Sequence, residues 1–338
     1  MKAGKLPIAL KGFSALYLEP ALRLAILKAS GAFDDWLRMN FINLYASEYQ
    51  TGSLIYRDGY CKLFYESTRP AVLHSLFRET DWPMADAVSD ALTETLAGGD
   101  YVLLDLDEYH IPGTYYAGRV HYQRRFLFWG WEEDGFLALS HNRFAQMAEF
   151  CIPRAVLSKA VVRNGQVPNG SVRPGVALRR KEGLFQRIVY RPYDVYRQLA
   201  EYYNAHMVQH TVHSDGGRTV DTHGFALYDR LIDRLALGRR GLEKVDYRAL
   251  AILAEQKEGL AERLEVLCRR EARQVPNDLA GAYRTMAEEV RRLLGMMLRY
   301  ASAEPEIRGR VWEDAADSLR RIQHRDHSVT GQLLRWLE

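Results

Sequence analysis

Residues 120–131 are Val-His-Tyr-Gln-Arg-Arg-Phe-Leu-Phe-Trp-Gly-Trp, and this stretch decides the fold class. Four consecutive large apolar side chains, at residues 126–129, need two buried faces, which is typical of a strand in the middle of a sheet. The turn sequence Glu133-Asp-Gly135 follows and predicts a hairpin into another strand at residues 136–139. A short apolar run at residues 100–105 predicts a neighbouring strand. The sequence therefore predicts a small antiparallel sheet around residues 120–131.

Helical periodicity dominates the rest of the chain. Upstream of the sheet, the pattern predicts helices at residues 15–29, from Asp34 or Asp35 through Tyr45, and at residues 84–96. Downstream, it predicts a fourth strand at residues 184–190 and then, from about residue 192, an almost wholly helical region with helices at 247–267, 280–300 and 311–322. Strands followed by a run of helices indicate an α+β fold. We expect two domains, residues 1–190 and residues 191–338.

Composition argues against several classes of function. The 338 residues include 46 basic and 43 acidic side chains, and this balance gives no reason to expect nucleic-acid binding. No apolar window is long enough to predict a membrane span. The three cysteines have no Cys-x-x-Cys spacing, which predicts neither disulfides nor a zinc site and indicates a reducing, cytoplasmic location. Glycine-rich phosphate loops and the zinc-protease motif are missing from the sequence, so we expect no cofactor and no metal.

A cluster of ionisable residues ends the predicted strand at residues 100–105. Asp105, Asp107, Glu108 and His110 lie within six residues of one another. Two close carboxylates raise one another's pKa and can perform acid–base or metal chemistry. The competing interpretation is a polar strand end that caps the following turn, and both interpretations stay open.

His121, Arg124 and Arg125 stand at the start of the predicted central strand. An arginine that enters an apolar strand often pairs with a buried carboxylate, and Asp105 or Asp107 is the obvious partner. Such a pair either holds the fold together or binds an anionic group of a substrate.

A second possible metal site involves His206, His210 and His213, which have spacings of four and three. On a helix the first two histidines would share a face and could bind a metal together with Asp215. Two glycines directly after Asp215 interrupt the segment, so solvated loop histidines are the competing interpretation.

Cys61 is a candidate nucleophile in principle. It lies in an aromatic stretch, residues 60–65, with no histidine nearby in the sequence. We expect a packed and inert thiol.

The order of motifs resembles a known family. Residues 107–112 (Asp-Glu-Tyr-His-Ile-Pro), His121 and residues 129–132 (Trp-Gly-Trp-Glu) resemble a pattern of acidic-x-Tyr-Tyr-x-Pro, His and Gly-Tyr-Asp. That pattern looks like the butirosin biosynthesis protein H family of papain-like acyltransferases. It looks closer still to an uncharacterised family encoded in nonribosomal peptide and polyketide gene clusters. Segments of that second family are also similar, in the same order, to residues 36–44, 223–231 and 246–263.

The resemblance implies a papain-like (cysteine-protease-like) core with a small antiparallel sheet, extended by a helical C-terminal region. Active papain-like members have a cysteine at the start of the first helix, whereas residues 17–20 here are Tyr-Leu-Glu-Pro. The position aligned with their catalytic histidine is Arg124, and the third position falls near His141 and Asn142. The thiolate–imidazole pair that attacks a thioester is therefore missing.

Two functions remain. The first is an accessory, acyltransferase- or hydrolase-like enzyme of peptide or polyketide antibiotic biosynthesis, which transfers or releases an acyl or peptidyl group on a carrier protein. Asp107 or Glu108 would be its acid–base group, while His121 and Arg124 would orient the substrate or stabilise an oxyanion. The expected substrate-binding residues are Asp105, Tyr109, His110, Trp129, Trp131, His141 and Asn142. The second function is a non-catalytic scaffold that binds the carrier protein or the substrate.

Overall fold

Strands and helices alternate along the chain up to residue 223, and long helices follow. The computed structural model describes residues 3–9, 17–29, 33–51, 54–55, 61–82, 87–161, 175–185, 188–205, 208–212, 217–239, 247–271 and 278–338. The strands are β1 (Gly4–Lys5), β2 (Leu44–Thr51), β3 (Leu54–Ile55), β4 (Lys62–Tyr65), β5 (Phe77–Trp82), β6 (Tyr101–Asp107), β7 (Gln123–Trp131), β8 (Gly135–His141), β9 (Met147–Pro153), β10 (Gly175–Arg180), β11 (Val208–Val212) and β12 (Gly217–His223). The helices are α1 (Leu18–Lys28), α2 (Phe33–Asn40), α3 (Pro70–Ser75), α4 (Val88–Ala97), α5 (Arg154–Ala160), α6 (Glu182–Phe185), α7 (Pro192–Asn204), α8 (Ala226–Arg239), α9 (Tyr247–Glu271), α10 (Leu279–Arg299) and α11 (Pro305–Leu337).

The chain folds into two compact units. The N-terminal unit consists of Met1–Asp34 and Pro70–Ile188, and the C-terminal unit consists of Asp35–Arg69 and Val189–Glu338. Both contain antiparallel sheet, and the described strands and helices confirm the predicted α+β class. The units differ from the predicted domains, 1–190 and 191–338, because residues 35–69 pack with the C-terminal unit.

β7 lies in the middle of the sheet of the N-terminal unit, as predicted. Among the described strands the order is β5-β10-β6-β7-β8-β9, and β1 pairs with the end of β7. The predicted strands at 100–105, 120–131 and 136–139 correspond to β6, β7 and β8. The predicted hairpin joins β7 to β8, where the Glu132 N–H donates to the Gly135 carbonyl at 2.8 Å.

The predicted strand at residues 184–190 is wrong. Residues 182–185 form the short helix α6, and the fourth strand is β10, which pairs with both β5 and β6. Ala177 and Leu178 of β10 are buried, whereas Leu184 is 42% exposed. A strand with neighbours on both sides needs apolar side chains, and β10 supplies them.

Strand alternation sends the side chains of β6 and β7 to two faces. Leu104, Phe126 and Phe128 point to one face and form an apolar core with α4 and α5. Burial of each of these side chains contributes about 1.5–3 kcal/mol to folding. Asp105 and Arg125 pair on the other face, and α1 packs against β7 and β8. The sheet is thus rigidly held where β6 ends and β7 begins.

The C-terminal unit contains the second antiparallel sheet. Its described strands are ordered β11-β12-β2-β3, and β4 also pairs with β2. The prediction that the second helix continues to Tyr45 is wrong, because α2 ends at Asn40 and Leu44 begins β2. In the sequence, Leu44 and Tyr45 continue the helical spacing of Trp36 and Phe41. In the structure, they pair with Tyr65 and Phe64 of β4.

Helices complete the C-terminal unit. The predicted helices at 247–267, 280–300 and 311–322 correspond to α9, α10 and α11. Among the described residues of this region, the antiparallel strands β11 and β12 depart from the predicted helical character. In the N-terminal unit, the predicted helix at 15–29 corresponds to α1. The helix predicted at 84–96 is α4, which starts at Val88, and residues 83–86 lie outside the described residues. None of the described helices combines the length and apolar character needed to cross a membrane.

Candidate functional site

Asp107 organises the connection between β6 and β7. It is the last residue of β6 and caps a short 3-10 turn, Glu108–His110. Its Oδ1 accepts hydrogen bonds from the backbone N–H of Tyr109 and of Tyr122, each at 3.1 Å. An acidic side chain at this position satisfies N–H groups that the turn leaves without partners. One carboxylate oxygen therefore fastens both ends of the connection.

The second oxygen of Asp107 faces two histidines. Asp107 Oδ2 lies 2.6 Å from His121 Nδ1 and 3.8 Å from His110 Nε2. The Tyr109 ring stacks on the His121 ring, with centroids 4.3 Å apart and planes inclined by 24°. Below, Asp107, His110 and His121 are called the Asp107 cluster. The position of His110 follows from the local sequence. Residues three apart lie above one another in a 3-10 turn, so His110 lies over Asp107.

Burial differs across the Asp107 cluster. The Asp107 side chain is 9% exposed, whereas those of His110 and His121 are 30% and 53% exposed. A substrate can therefore reach both imidazoles while the carboxylate stays largely out of water.

Glu108 and Arg124 form an ion pair beside the Asp107 cluster. The Glu108 side chain has no exposed surface, and burial raises the pKa of its carboxyl, although Arg124 opposes this shift. Arg124 also lies over the Tyr122 ring, with its Cζ 5.5 Å from the ring centroid. Because Glu108 is enclosed and paired, it is not placed to exchange protons with a substrate.

Asp105 and Arg125 form a second buried pair on the opposite face of the sheet. Arg125 Nε lies 3.0 Å from Asp105 Oδ1, and the Gln123 amide donates to Asp105 Oδ2 at 2.5 Å. The expected arginine–carboxylate pairing is therefore present. Arg125 pairs with Asp105, whereas Arg124 pairs with Glu108 rather than with either aspartate.

Trp129 and Trp131, two predicted substrate-binding residues, lie at the other end of β7. Gln123 pairs with Asp107, and Trp129 is six residues further along the strand, which corresponds to about 20 Å. Trp129 is largely buried, and Lys5 Nζ lies 6.0 Å from its ring centroid. The structure does not bring these tryptophans to the Asp107 cluster.

His141 and Asn142 end β8 and begin the following turn. His141 is 6% exposed, and Asn142 Oδ1 accepts from the N–H of Phe144 at 2.9 Å and of Gln146 at 3.1 Å. The amide of Asn142 thus shapes this turn. The turn touches the β6–β7 connection, since the Arg143 N–H donates to the Gly113 carbonyl at 3.0 Å.

Exposed apolar side chains occur on the two loops beside the Asp107 cluster. Tyr115, Val120 and Phe144 are 54%, 50% and 66% exposed, and we call them the apolar rim. They could not be selected from the sequence, because without the fold an exposed apolar residue cannot be distinguished from a buried one. Their position makes them candidate contacts for an apolar group of a ligand.

The second possible metal site is only partly described. His206, His213 and Asp215 lie outside the described residues. His210 is exposed on β11 and pairs with Val220. The described part of this segment is therefore a strand, to which the helical spacing of four does not apply.

A polar cluster on β12 involves Asp221 and His223 instead. His223 Nδ1 lies 2.5 Å from Glu66 Oε1, and Arg69 Nη1 lies 3.4 Å from Asp221 Oδ2. Burial acts to raise the pKa of Glu66, but hydrogen bonds from His223 and Arg69 outweigh it and lower that pKa. The Arg69 guanidinium also covers the Tyr45 ring at 4.0 Å. These charges compensate one another within the C-terminal unit.

No disulfide joins the three cysteines, all of which lie in described parts of the chain. Cys61 is buried at 4% exposure in the C-terminal unit, Cys151 is exposed on β9, and Cys268 is partly exposed on α9. The Asp107 cluster contains no cysteine, so its chemistry must come from carboxylate and imidazole groups.

A scan against protein-family models and a search of curated proteins returned no match.

Proposed function

We propose that the chain catalyses the transfer or hydrolysis of an acyl or peptidyl group through the acid–base pair Asp107–His121. The observation that carries this proposal is the 2.6 Å separation between Asp107 Oδ2 and His121 Nδ1, together with the half-exposed His121 ring. A carboxylate only accepts hydrogen bonds, so it holds the proton of a neutral His121 on Nδ1 and leaves Nε2 free to accept another. This arrangement suits a general base.

The reaction follows from that arrangement. His121 Nε2 takes a proton from water, a hydroxyl or an amine as that nucleophile bonds to the carbonyl carbon of a thioester. The carbon–sulfur bond then breaks, and the leaving thiolate takes the proton from the imidazolium. The Asp107 carboxylate stabilises the transient imidazolium charge. A direct transfer of this kind needs no enzyme nucleophile, which agrees with the missing cysteine in residues 17–20.

The substrate class comes from the resemblance. We propose a papain-like core for the N-terminal unit, supported by the packing of α1 against β7 and β8. We further propose that the group is carried on an acyl- or peptidyl-carrier protein of antibiotic biosynthesis. The sequence predicted Asp107 or Glu108 as the acid–base group, whereas the present proposal assigns that role to His121, with Asp107 orienting its ring and Glu108 enclosed beside it.

The test uses acyl and peptidyl thioesters of N-acetylcysteamine, with the released thiol as readout. We expect His121→Gln and Asp107→Asn to lower kcat/KM by roughly 10²–10⁴-fold, the usual contribution of general acid–base catalysis. His74→Gln is the matched control, because His74 Nδ1 pairs with Glu79 Oε2 at 3.0 Å elsewhere in the same unit. Turnover by His121→Gln within twofold of the unaltered protein would contradict the proposal.

The alternative is a non-catalytic scaffold for the carrier protein or substrate, and the apolar rim favours it. A scaffold binds through exposed apolar surface, and Tyr115, Val120 and Phe144 provide such surface. In this case no thioester is turned over, and Asp107→Asn protein captures a carrier protein as well as the unaltered protein does. Serine substitutions at Tyr115 and Phe144 then weaken capture.

A further inference from the structure

The Asp107 cluster also has the composition of a metal site. In the described part of the chain, Asp107, His110 and His121 each bring one potential ligand atom within 4.8 Å of the other two. Two imidazoles and a carboxylate form a ligand set that zinc and related transition metals bind. The missing metal-binding motifs led us to expect no metal, and the sequence alone does not show that His121 returns to Asp107.

The separations fit a metal of this kind. Zinc bonds of about 2.0–2.2 Å in tetrahedral geometry place neighbouring ligand atoms about 3.3 Å apart. The separations from Asp107 Oδ2, 2.6 Å to His121 and 3.8 Å to His110, lie on either side of that value. To reach about 3.3 Å, His121 Nδ1 has to move away from Asp107 Oδ2 by roughly 0.7 Å and His110 Nε2 has to move towards it by roughly 0.5 Å.

The surroundings hold the carboxylate in a ligand-ready orientation. Asp107 Oδ1 accepts two backbone N–H groups, so Oδ2 points to the histidines and can bind a metal through one oxygen. Hydrogen bonds of this kind orient metal ligands and raise affinity. The stacked Tyr109 ring restricts the His121 ring in the same way.

Neighbouring charges leave the Asp107 cluster available to a cation. Arg124 is paired with Glu108, and Arg125, which lies on the same face of the sheet as Asp107, is paired with Asp105. Asp107 itself contacts histidines, whose neutral rings a metal can use. Among the described ion pairs, those of Asp107 are with His110 and His121 and none is with an arginine. A divalent ion would therefore meet the Asp107 carboxylate without competition from a guanidinium group.

We propose that Asp107, His110 and His121 bind one divalent transition-metal ion of the zinc class. Because His110 and His121 are 30% and 53% exposed, water or the carbonyl oxygen of a substrate could reach an ion held there. Such an ion polarises a carbonyl and lowers the pKa of bound water to about 7, so it would supply the nucleophile in place of His121. As an account of catalysis this inference rests on the proposed function, whereas the binding site itself does not.

Binding is measured without substrate. The full chain is stripped with a chelator and titrated with Zn²⁺ by calorimetry and with Co²⁺ by visible absorption. We expect one ion per chain and Co²⁺ absorption bands typical of nitrogen and oxygen ligands in a site of low coordination number. Asp107→Asn, His110→Gln and His121→Gln should each weaken binding by roughly 10–100-fold or more. Mg²⁺ and Ca²⁺, which prefer all-oxygen sites, should not compete.

The controls separate this site from surface histidines. His74→Gln removes a histidine–carboxylate pair from the same unit and should leave affinity unchanged. Asp107→Asn keeps an oxygen acceptor for the two N–H groups, and circular dichroism checks that each variant is folded. Binding that none of the three variants weakens, or no stoichiometric binding at all, overturns the metal site.

The metal site and the proposed reaction fail in different ways. Stoichiometric Zn²⁺ binding without any thioester turnover supports the site and refutes the reaction. Full turnover by chelated protein that binds no Zn²⁺ overturns the site and keeps His121 as the general base.

Discussion

Lys257 Nζ bonds directly to Asp326 Oδ2 inside the C-terminal unit, where neither side chain has any exposed surface. The hydroxyls of Tyr202 and Tyr228 donate to the same carboxylate oxygen at 2.9 and 3.0 Å. Burial lowers the pKa of Lys257, and Asp326 opposes that shift. α7, α8, α9 and α11 thus meet at one charged and fully enclosed network.

Asp326→Asn should destabilise the C-terminal unit strongly. It leaves the Lys257 charge buried without its partner, and breaking a buried pair in this way costs about 3–5 kcal/mol. The free energy of unfolding from urea denaturation measures the loss. Asp317→Asn is the matched control on the same helix, because its pair with Arg320 is more than half exposed and contributes about 0–1 kcal/mol. Equal losses for the two variants would show that the enclosed network has no special role.

Glu255 should give the C-terminal unit a pH-dependent stability. Burial raises the pKa of its carboxyl from 4.5 to about 7, which the Tyr65 hydroxyl and Arg263 only partly offset. A raised folded-state pKa means that the favourable contribution is complete below about pH 4.5 and is lost as pH rises through about 7. Between about pH 4.5 and pH 7 and above, the contribution of Glu255 to the free energy of unfolding falls by about 3 kcal/mol.

Glu255→Gln isolates that contribution. The difference in free energy of unfolding between the variant and the unaltered chain should grow in favour of the variant between pH 4.5 and 7, and then level off. Glu258→Gln, on the same helix but ion-paired with Arg291 at the surface, serves as the control. A difference that does not change with pH for Glu255→Gln would refute the assignment.

Arg124→Met should destabilise the N-terminal unit by about 3–5 kcal/mol, because Glu108 stays enclosed without its guanidinium. The double variant Glu108→Gln/Arg124→Met removes both charges and should recover much of that loss. Melting temperatures of the two variants provide the comparison. Arg179→Met is the control, since its pair with Asp100 is exposed in the same sheet. If the double variant melts below the single variant, the pair is not the source of the effect.

Tyr109→Ala should lower kcat/KM and Zn²⁺ affinity by about 2–10-fold. The Tyr109 ring stacks on His121, and an aromatic pair of this kind contributes about 0.5–1.5 kcal/mol. Tyr109→Phe keeps the ring and should keep both values. Tyr115→Ala is the control for Zn²⁺ affinity alone, because the Tyr115 ring contacts Tyr116 rather than His121. A Phe variant as impaired as the Ala variant would assign the effect to the hydroxyl.

Much of the N-terminal sheet could be predicted, because its pattern is local. Residues 126–129 are apolar on both faces, and only a central strand accommodates that. The ion pairs could not be predicted to the residue. A shift of one position in register exchanges the faces of Arg124 and Arg125, so the sequence cannot show which arginine meets Glu108 and which meets Asp105.

The parts that sequence could not predict depend on distant partners. β2 pairs with β12, more than 150 residues later, and this pairing overrides the helical spacing of Leu44 and Tyr45. The contact of His110 with Asp107 depends on a 3-10 turn, and the same four residues are compatible with other turns. The sequence pointed to Asp107 as a candidate, but the contact between Asp107 and His121 becomes evident only when β6 and β7 are paired.

Asp107 Oδ1 accepts one backbone N–H group near each end of the β6–β7 connection, so the ends of this loop and its middle depend on different contacts. Its ends are anchored to the same carboxylate that orients the histidines, whereas its middle, with Tyr115, is not part of that anchor. Substitutions at exposed positions of the loop, such as Tyr115 and Val120, therefore change the surface that a ligand meets and leave the two hydrogen bonds to Asp107 in place. Under the proposed acyl transfer, we expect relatives with different acyl substrates to differ at exposed loop positions such as Tyr115 and Val120 and to keep Asp107 and His121.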